Sequence, residues 1–276
     1  MEPKPTNPLV NLPGAVIIAA AIIAIAIIWA KQPANKPVVA EPTQKSTNTI
    51  TLSPIKASEH ILGNPAATIR LVEFSDPSCP YCKNFNPTME DVMAKYGATG
   101  DVAWVYRHYP LSEIHPNSKK QAEALECAGS LGGNAKFWEF EKAWYEAIPL
   151  DGASRSSDID QKEVLAVAKS INLDTVAFNE CVASDRFKDI IEANFLDGVN
   201  AGVNGTPSSF LVLNRPAGLF LEKFISSTLL QYHLSSDLLF LSDDKKIISM
   251  NGAMPEVFVK GLIEAILTDQ KASAVK

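Results

Sequence analysis

Cysteine is scarce in this chain: Cys79, Cys82, Cys127 and Cys181 are the only four in 276 residues. That is too few for a small fold stapled by disulfides. Basic charge is not in surplus either. Lys and Arg number 25 against 31 Asp and Glu, a net charge of −6, which argues against a chain dominated by nucleic-acid binding. No Walker A loop, no Gly-x-Ser-x-Gly elbow and no His-Glu-x-x-His helix occurs, so the common phosphate-binding, serine-hydrolase and zinc-protease signatures are missing. What is present is apolar residue: 46% hydrophobic against 20% charged. This suits a sizeable core in one large domain or two small ones and argues against wholesale disorder.

Charge is also missing between Lys4 and Lys31, where residues 14–30 read GAVIIAAAIIAIAIIWA. The uncharged, mostly apolar stretch extends back to Leu9, and as a helix its roughly 22 residues rise roughly 33 Å, close to the hydrocarbon thickness of a bilayer. Residues 1–31 are therefore expected to form a transmembrane signal-anchor. The competing readings are a cleaved signal peptide, with Val38-Val39-Ala40 as a cleavage site, and a buried soluble helix, which the absence of a polar face disfavours. The flanking lysines do not settle the orientation. Residues 32–58 follow with Pro33, Pro37, Pro42 and Pro54 among Ser, Thr, Asn and Gln, and read as an extended linker.

The remainder, 59–276, carries regular patterns. Residues 68–75 (TIRLVEFS) form a buried strand and 102–107 (VAWVYR) a second. Between them a helix opens at Pro80, carries an apolar stripe at Phe85, Met89, Val92, Met93 and Tyr96, should bend at Pro87, and closes at Gly97 and Gly100. Strand–helix–strand at this spacing is a βαβ unit with parallel strands. Helical patterns run through 117–130, 135–147, 161–170, 174–183 and 185–202, with Asn134, Asp174 and Ser184 as candidate caps. Strands return at 208–213 and 246–251, and an amphipathic helix covers 255–268. The layout is α/β: a thioredoxin fold with a helical domain, about 116–202, inserted in its middle and one transmembrane helix ahead of it.

Cys79-Pro80-Tyr81-Cys82 admits three chemistries. Half a zinc site needs a second pair at short spacing, and none occurs. A structural disulfide is the second. The third is a redox-active dithiol. Directly after a buried strand and opening a helix, Cys79 sits where amides are unsatisfied and the dipole is positive, which favours its thiolate. Cys82 is one turn on, within reach of a mixed disulfide on Cys79, and Pro80 stiffens the turn. Tyr81 is uncharged and stabilises a thiolate less than a cationic or histidine neighbour does. Glu73 lies in the otherwise apolar strand: it either points to solvent or is a buried carboxylate that shuttles a proton for Cys82. Thr206-Pro207 precedes the strand at 208, where a proline is tolerated. A cis bond there would aim the Thr206 backbone at the dithiol, ready to pair with a substrate strand.

The segments LVEFSDPSCPYCKNF, ECAGSLGGNAKFWEF, FNECVAS and GVNGTPSSFLV, in this order, resemble the DsbA family of thiol–disulfide oxidoreductases, and more narrowly its membrane-anchored bacterial members with a second cysteine pair. The resemblance covers about residues 58–268. It implies that Cys79 is the nucleophile and Cys82 the resolving thiol, that Pro207 is cis, and that Glu73 matches the family's acidic strand residue. It implies no cofactor beyond the redox disulfide and no metal. It places the domain outside the cytoplasm of a bacterial cell, with a single-pass anchor whose N-terminus is inside. The expected partners are reduced or unfolded secreted proteins, a membrane re-oxidant of the DsbB or VKOR type, and the membrane, with no nucleic acid. In that compartment Cys127 and Cys181 would join, contributing about 3–4 kcal/mol; two buried free thiols are the alternative. The expected activity is donation of disulfides, with isomerase or reductase action, or a non-catalytic peptide-binding module, as the other readings. One segment departs from the pattern: about 215–245 is too long for a hairpin loop and rich in Leu219, Phe220, Leu221, Phe224, Ile225, Leu229 and Leu230. It should form one or two helices packed on the domain, or dock on a membrane or partner.

Overall fold

The computed structural model describes residues 49–148 and 161–272. The anchor at 1–31 and most of the linker lie outside the described residues. Among the described residues no helix is long and apolar enough to cross a membrane.

Six strands form one mixed sheet: β1 (His60–Gly63), β2 (Ile69–Ser75), β3 (Val102–His108), β4 (Ser208–Leu213), β5 (Leu239–Leu241) and β6 (Ile247–Asn251), in the order β1-β3-β2-β4-β6-β5. Helix α1 (Pro80–Val92) is the crossover between β2 and β3, which pair in parallel. All other neighbours are antiparallel. The β2 and β3 strands are buried along nearly their whole length, as central strands covered on both faces are.

Strand alternation then assigns faces. Ile69 and Leu71 enter the main core, with α1, α2 (Ser118–Ala147) and α7 (Glu256–Ala272). Val72 and Phe74 enter a smaller core on the opposite face with Val105, Tyr109 and Phe210. Glu73 is in phase with Ile69 and Leu71, so it points under α1.

The α1 helix runs through Pro87 to Val92 and then widens into a π-helical turn, Met93–Gly97, with Gly100 at a positive φ of 76°. The helical block contains α2, α3 (Gln161–Ser170), α4 (Thr175–Ser184) and α5 (Lys188–Asn200). The two helices expected at 117–130 and 135–147 follow one another directly, separated by a break at Gly133, whose φ is 77°. Asp174 does cap α4, accepting from the amides of Val176 and Ala177. The other two candidate caps do something else. Asn134 donates to the carbonyl of Ile61 and so fastens the edge strand. Ser184 lies inside the last turn of α4 and bonds the carbonyl of Cys181.

Two elements escaped the sequence reading. The β1 strand has only four residues, too few for a period. The β5 strand has three and sits inside the 215–245 segment. That segment makes one helix, α6 (Leu219–Gln231), and then the outermost strand. Leu221 and Ile225 of α6 are buried, and Asp269 of α7 accepts from the amide of Gly218 at 2.8 Å. The linker boundary also shifts. Residues 49–58, expected to be the end of the extended linker, are not a free tether: Ile50, Leu52 and Ile55 pack on the smaller core. Buried Arg107, paired with Glu59 and Asp197, also donates to the carbonyl of Ser53. Three apolar side chains and a satisfied buried guanidinium offset the entropy of ordering this stretch.

Candidate active site

The turn that opens α1 is built by Asp76. Its carboxylate accepts from the amide of Ser78 at 2.7 Å and its carbonyl accepts from the amide of Cys79 at 2.9 Å. Cys79 is the N-cap, in an extended conformation, with Pro80 as the first helical residue. Its sulfur therefore lies where the first amides of the helix have no partners and the dipole is positive. Cys79 and Cys82 are both free thiols and both buried; Tyr81 between them is 57% exposed.

The Thr206–Pro207 bond is cis. The Cys79 thiol donates to the carbonyl of Thr206 at 3.4 Å, across 127 residues of chain. This contact follows from the sheet order, because β4 lies next to β2 and starts directly after Pro207. The Thr206 loop is held by the amide of Gly252, which donates to the carbonyl of Pro207 at 2.9 Å. The Thr206 hydroxyl is buried with no hydrogen-bond partner in this state, so it is available to a sulfur that gains charge.

The two thiols are driven apart in acidity. Cys79 is lowered to about 6, first by a hydrogen bond from Cys82 and in smaller part by Thr206, against the opposing effect of its own burial. Cys82 is raised by burial and by donating to Cys79. Glu73 is buried beneath them and accepts from the indole of Trp104 at 3.0 Å. Burial raises its carboxyl to about 7, the range in which a proton can be both given and taken near neutral pH.

Two further acidic groups flank the site and were not singled out from the sequence. Glu141 on α2 is buried, accepts from the Asn86 side chain at 2.7 Å, and is held well above the carboxylate range by burial and then by the charge of Glu73. A signal existed: Glu141 interrupts the stripe Phe137, Trp138, Trp144, Tyr145 at helical spacing. Asp76 is the second, and it also accepts from His115 Nδ1 at 2.8 Å and from the amide of Leu111 at 2.8 Å. No periodicity marks a residue in a turn. Tyr145 joins this side of the site, donating to the carbonyl of Asp76 while bonded to the Ser75 hydroxyl.

Cys127 of α2 and Cys181 of α4 form a disulfide that ties the first and third helices of the inserted block. Neither reaches the dithiol. A cavity of about 200 Å³ is lined by Tyr232, Leu234, Met254, Pro255, Val257 and Phe258. Two of these, Tyr232 and Leu234, come from the middle of the 215–245 insertion, just after α6.

A family model described as thioredoxin matches residues 56–213, more than half of the chain. The chain belongs to the thioredoxin family. Within that family its fold is that of the DsbA proteins. It superposes on BdbD from Bacillus subtilis in its oxidised form with a TM-score of 0.59 and 18% identity, covering 80% of this chain and 98% of BdbD. It superposes on alpha-DsbA1 from Wolbachia pipientis with a TM-score of 0.56 and 21% identity, covering 78% of this chain and 96% of that one. A curated relative with a similar sequence is a Na+/H+ antiporter, NhaA 1 of Salinispora arenicola, 31% identical over 163 residues, or 59% of this chain and 23% of the antiporter. The thioredoxin-family chain thus spans about a quarter of the length of the curated relatives it matches.

Proposed function

We propose that this chain is an extracytoplasmic thiol–disulfide oxidoreductase that donates disulfides to secreted proteins through Cys79 and Cys82. The observation that carries the reading is the dithiol at the start of α1, facing the cis Thr206–Pro207 bond, with buried Glu73 behind it.

In the oxidised enzyme a client thiolate attacks the sulfur of Cys79. The Cys79–Cys82 bond breaks, a client–Cys79 bond forms, and Cys82 leaves with the electron pair. A buried sulfur with a raised pKa is a poor leaving group. Proton donation by Glu73 removes that difficulty. A second client thiol then attacks the client sulfur of the mixed disulfide. Cys79 leaves as a thiolate, stabilised by the helix start and by the Thr206 hydroxyl. The client has lost two electrons and two protons, and the enzyme dithiol has gained the electrons. An extended client segment would lie along the Thr206 edge, with an apolar side chain in the cavity beside Val257 and Phe258.

Acidity bears on the direction. A thiolate favoured at Cys79 stabilises the reduced enzyme and so makes its disulfide oxidising. At about 6 Cys79 lies between the values of roughly 3.5 and 7 that go with a strong oxidant and with a reductant. The closed Cys127–Cys181 bond suits an oxidising compartment, the uncharged run at 14–30 suits a membrane anchor, and the N-terminus-inside orientation rests on the family resemblance. We assign re-oxidation to a membrane partner of the DsbB or VKOR type and bind no metal or cofactor to the site.

Refolding of a reduced, disulfide-containing client tests this, with Cys79→Ser as control. Wild type should speed oxidation and the variant should not. Inactivity of wild type in both refolding and insulin reduction would leave a peptide-binding module instead. A potential against glutathione near roughly −120 mV supports donation, and one near roughly −270 mV overturns it in favour of a reductase.

A further inference from the structure

Of the two residues between the cysteines, Tyr81 carries no charge and stands out in solvent, and Pro80 is apolar. A histidine reaches the same region from elsewhere in the chain. His115 lies in the loop that joins β3 to α2, and three hydrogen bonds fasten that loop to the end of β2 and to the turn opening α1. The amide of Tyr109 donates to the carbonyl of Ser75 at 2.8 Å, the amide of Leu111 to the Asp76 carboxylate at 2.8 Å, and His115 Nδ1 to the same Asp76 oxygen at 2.8 Å. The Asp76 carbonyl in turn accepts from the amide of Cys79 at 2.9 Å. His115 and Asp76 are both buried.

We propose that His115, held by Asp76, is the cationic neighbour of the Cys79 thiolate, supplied by the fold from outside the Cys-x-x-Cys motif. The proposal rests on Cys79 being the nucleophile of the proposed reaction.

Two charges compete at the sulfur. The Asp76 carboxylate disfavours the thiolate. An imidazolium at His115 cancels that charge, so the pair as a whole is neutral. The hydrogen bond to Asp76 raises His115 above its ordinary value against the opposing effect of burial, and the Cys79 thiolate adds a smaller rise. Interaction between two charges is mutual: what the thiolate does for the imidazolium, the imidazolium does for the thiolate. The other charged groups around His115 are committed elsewhere. Glu113 on its own loop is exposed, and Lys119 and Lys120 at the start of α2 pair with Glu192 and Asp185. Asp76 and Cys79 on the α1 turn are the groups that bear on it. As pH rises through the His115 titration, the pair passes from neutral to a net negative charge beside the sulfur, and the thiolate loses favour.

Alkylation of Cys79 as a function of pH reads this in the reduced protein. His115→Gln keeps a donor for Asp76 and removes the cation. It should lower Cys79 reactivity at pH 6 by about three- to ten-fold, as the loss of one nearby opposite charge does. His115→Lys, which restores a positive charge, should recover most of it. An unchanged profile in His115→Gln, or an equal loss in His115→Lys, overturns the proposal, the second outcome marking a structural role. A measurement independent of these variants is the His115 imidazole titration followed by NMR in wild type and in Cys79→Ser. The midpoint should fall in Cys79→Ser; an identical midpoint overturns the proposal. Neither readout needs turnover of a client, so inactivity toward clients would leave both interpretable.

Discussion

Replacing Glu73 with Gln should stabilise the protein and slow it. Glu73 ionises at about 7 in the fold against 4.5 for an exposed carboxyl. Each unit is worth about 1.4 kcal/mol, so ionising Glu73 in place costs about 3 kcal/mol. The folded group holds its proton more tightly than the unfolded one. Its stabilising contribution is therefore complete below pH 4.5 and is lost as pH rises toward 7, nearly all of it within that window. Gln has no proton to lose. The stability difference between Glu73→Gln and wild type, measured by urea unfolding of the reduced proteins, should grow by about 3 kcal/mol between pH 4 and pH 8. Titration of the cysteines occurs in both proteins and largely cancels. The second arm is kinetic. Without a proton donor beside Cys82, exchange with a disulfide at pH 7 should slow by at least about tenfold, in line with other positioned acids. A pH-independent stability difference would refute the buried-carboxylate argument. Unchanged exchange from pH 5 to 8, with the stability difference present, would leave Glu73 buried but strip it of the proton transfer.

Three further outcomes follow from the same structure. Replacing both Cys127 and Cys181 with Ala opens a bridge across 54 residues, which should cost about 4 kcal/mol in non-reducing urea unfolding by loop-entropy arithmetic, while leaving Cys79 alkylation unaltered. In wild type the alkylation of Cys79 should be half-maximal near pH 6 and nearly flat above pH 7; a midpoint above pH 8 would contradict thiolate stabilisation at the helix start. Val257→Asp places a charge in the wall of the apolar cavity at a position that is 81% exposed. It should raise KM for a peptide client about three- to ten-fold and leave exchange with glutathione alone, as measured side by side.

Much of the site is readable along the chain because it is local. A strand of β-branched and apolar residues, a Cys-Pro step and an apolar stripe at helical spacing together place Cys79 at a helix start, and α1 opens at Pro80 as expected. Even the burial of Glu73 is implicit, since it shares the phase of Ile69 and Leu71 in a strand buried on both faces. Glu141 is equally implicit in the stripe of α2, although charged residues seldom occupy such positions. The edge strands β1 and β5 could not be read at all. Strands of four and three residues carry too few side chains for alternation to register, and β5 exists because β6 offers it an unpaired edge.

Local preference reaches only a few residues along the backbone, so it settles which segments bend, coil or extend and which sulfur starts a helix. It is silent on which distant segments share one water-poor space. That Thr206 bonds Cys79 from 127 residues away, that Cys181 meets Cys127, and that Asp76 takes the proton-bearing nitrogen of His115 all depend on the order β3-β2-β4 and on helices packed across it. Desolvation and charge proximity are properties of that packing. They turn two ordinary thiols and a glutamate into groups that ionise near neutral pH, or far from it, according to where the fold has put them.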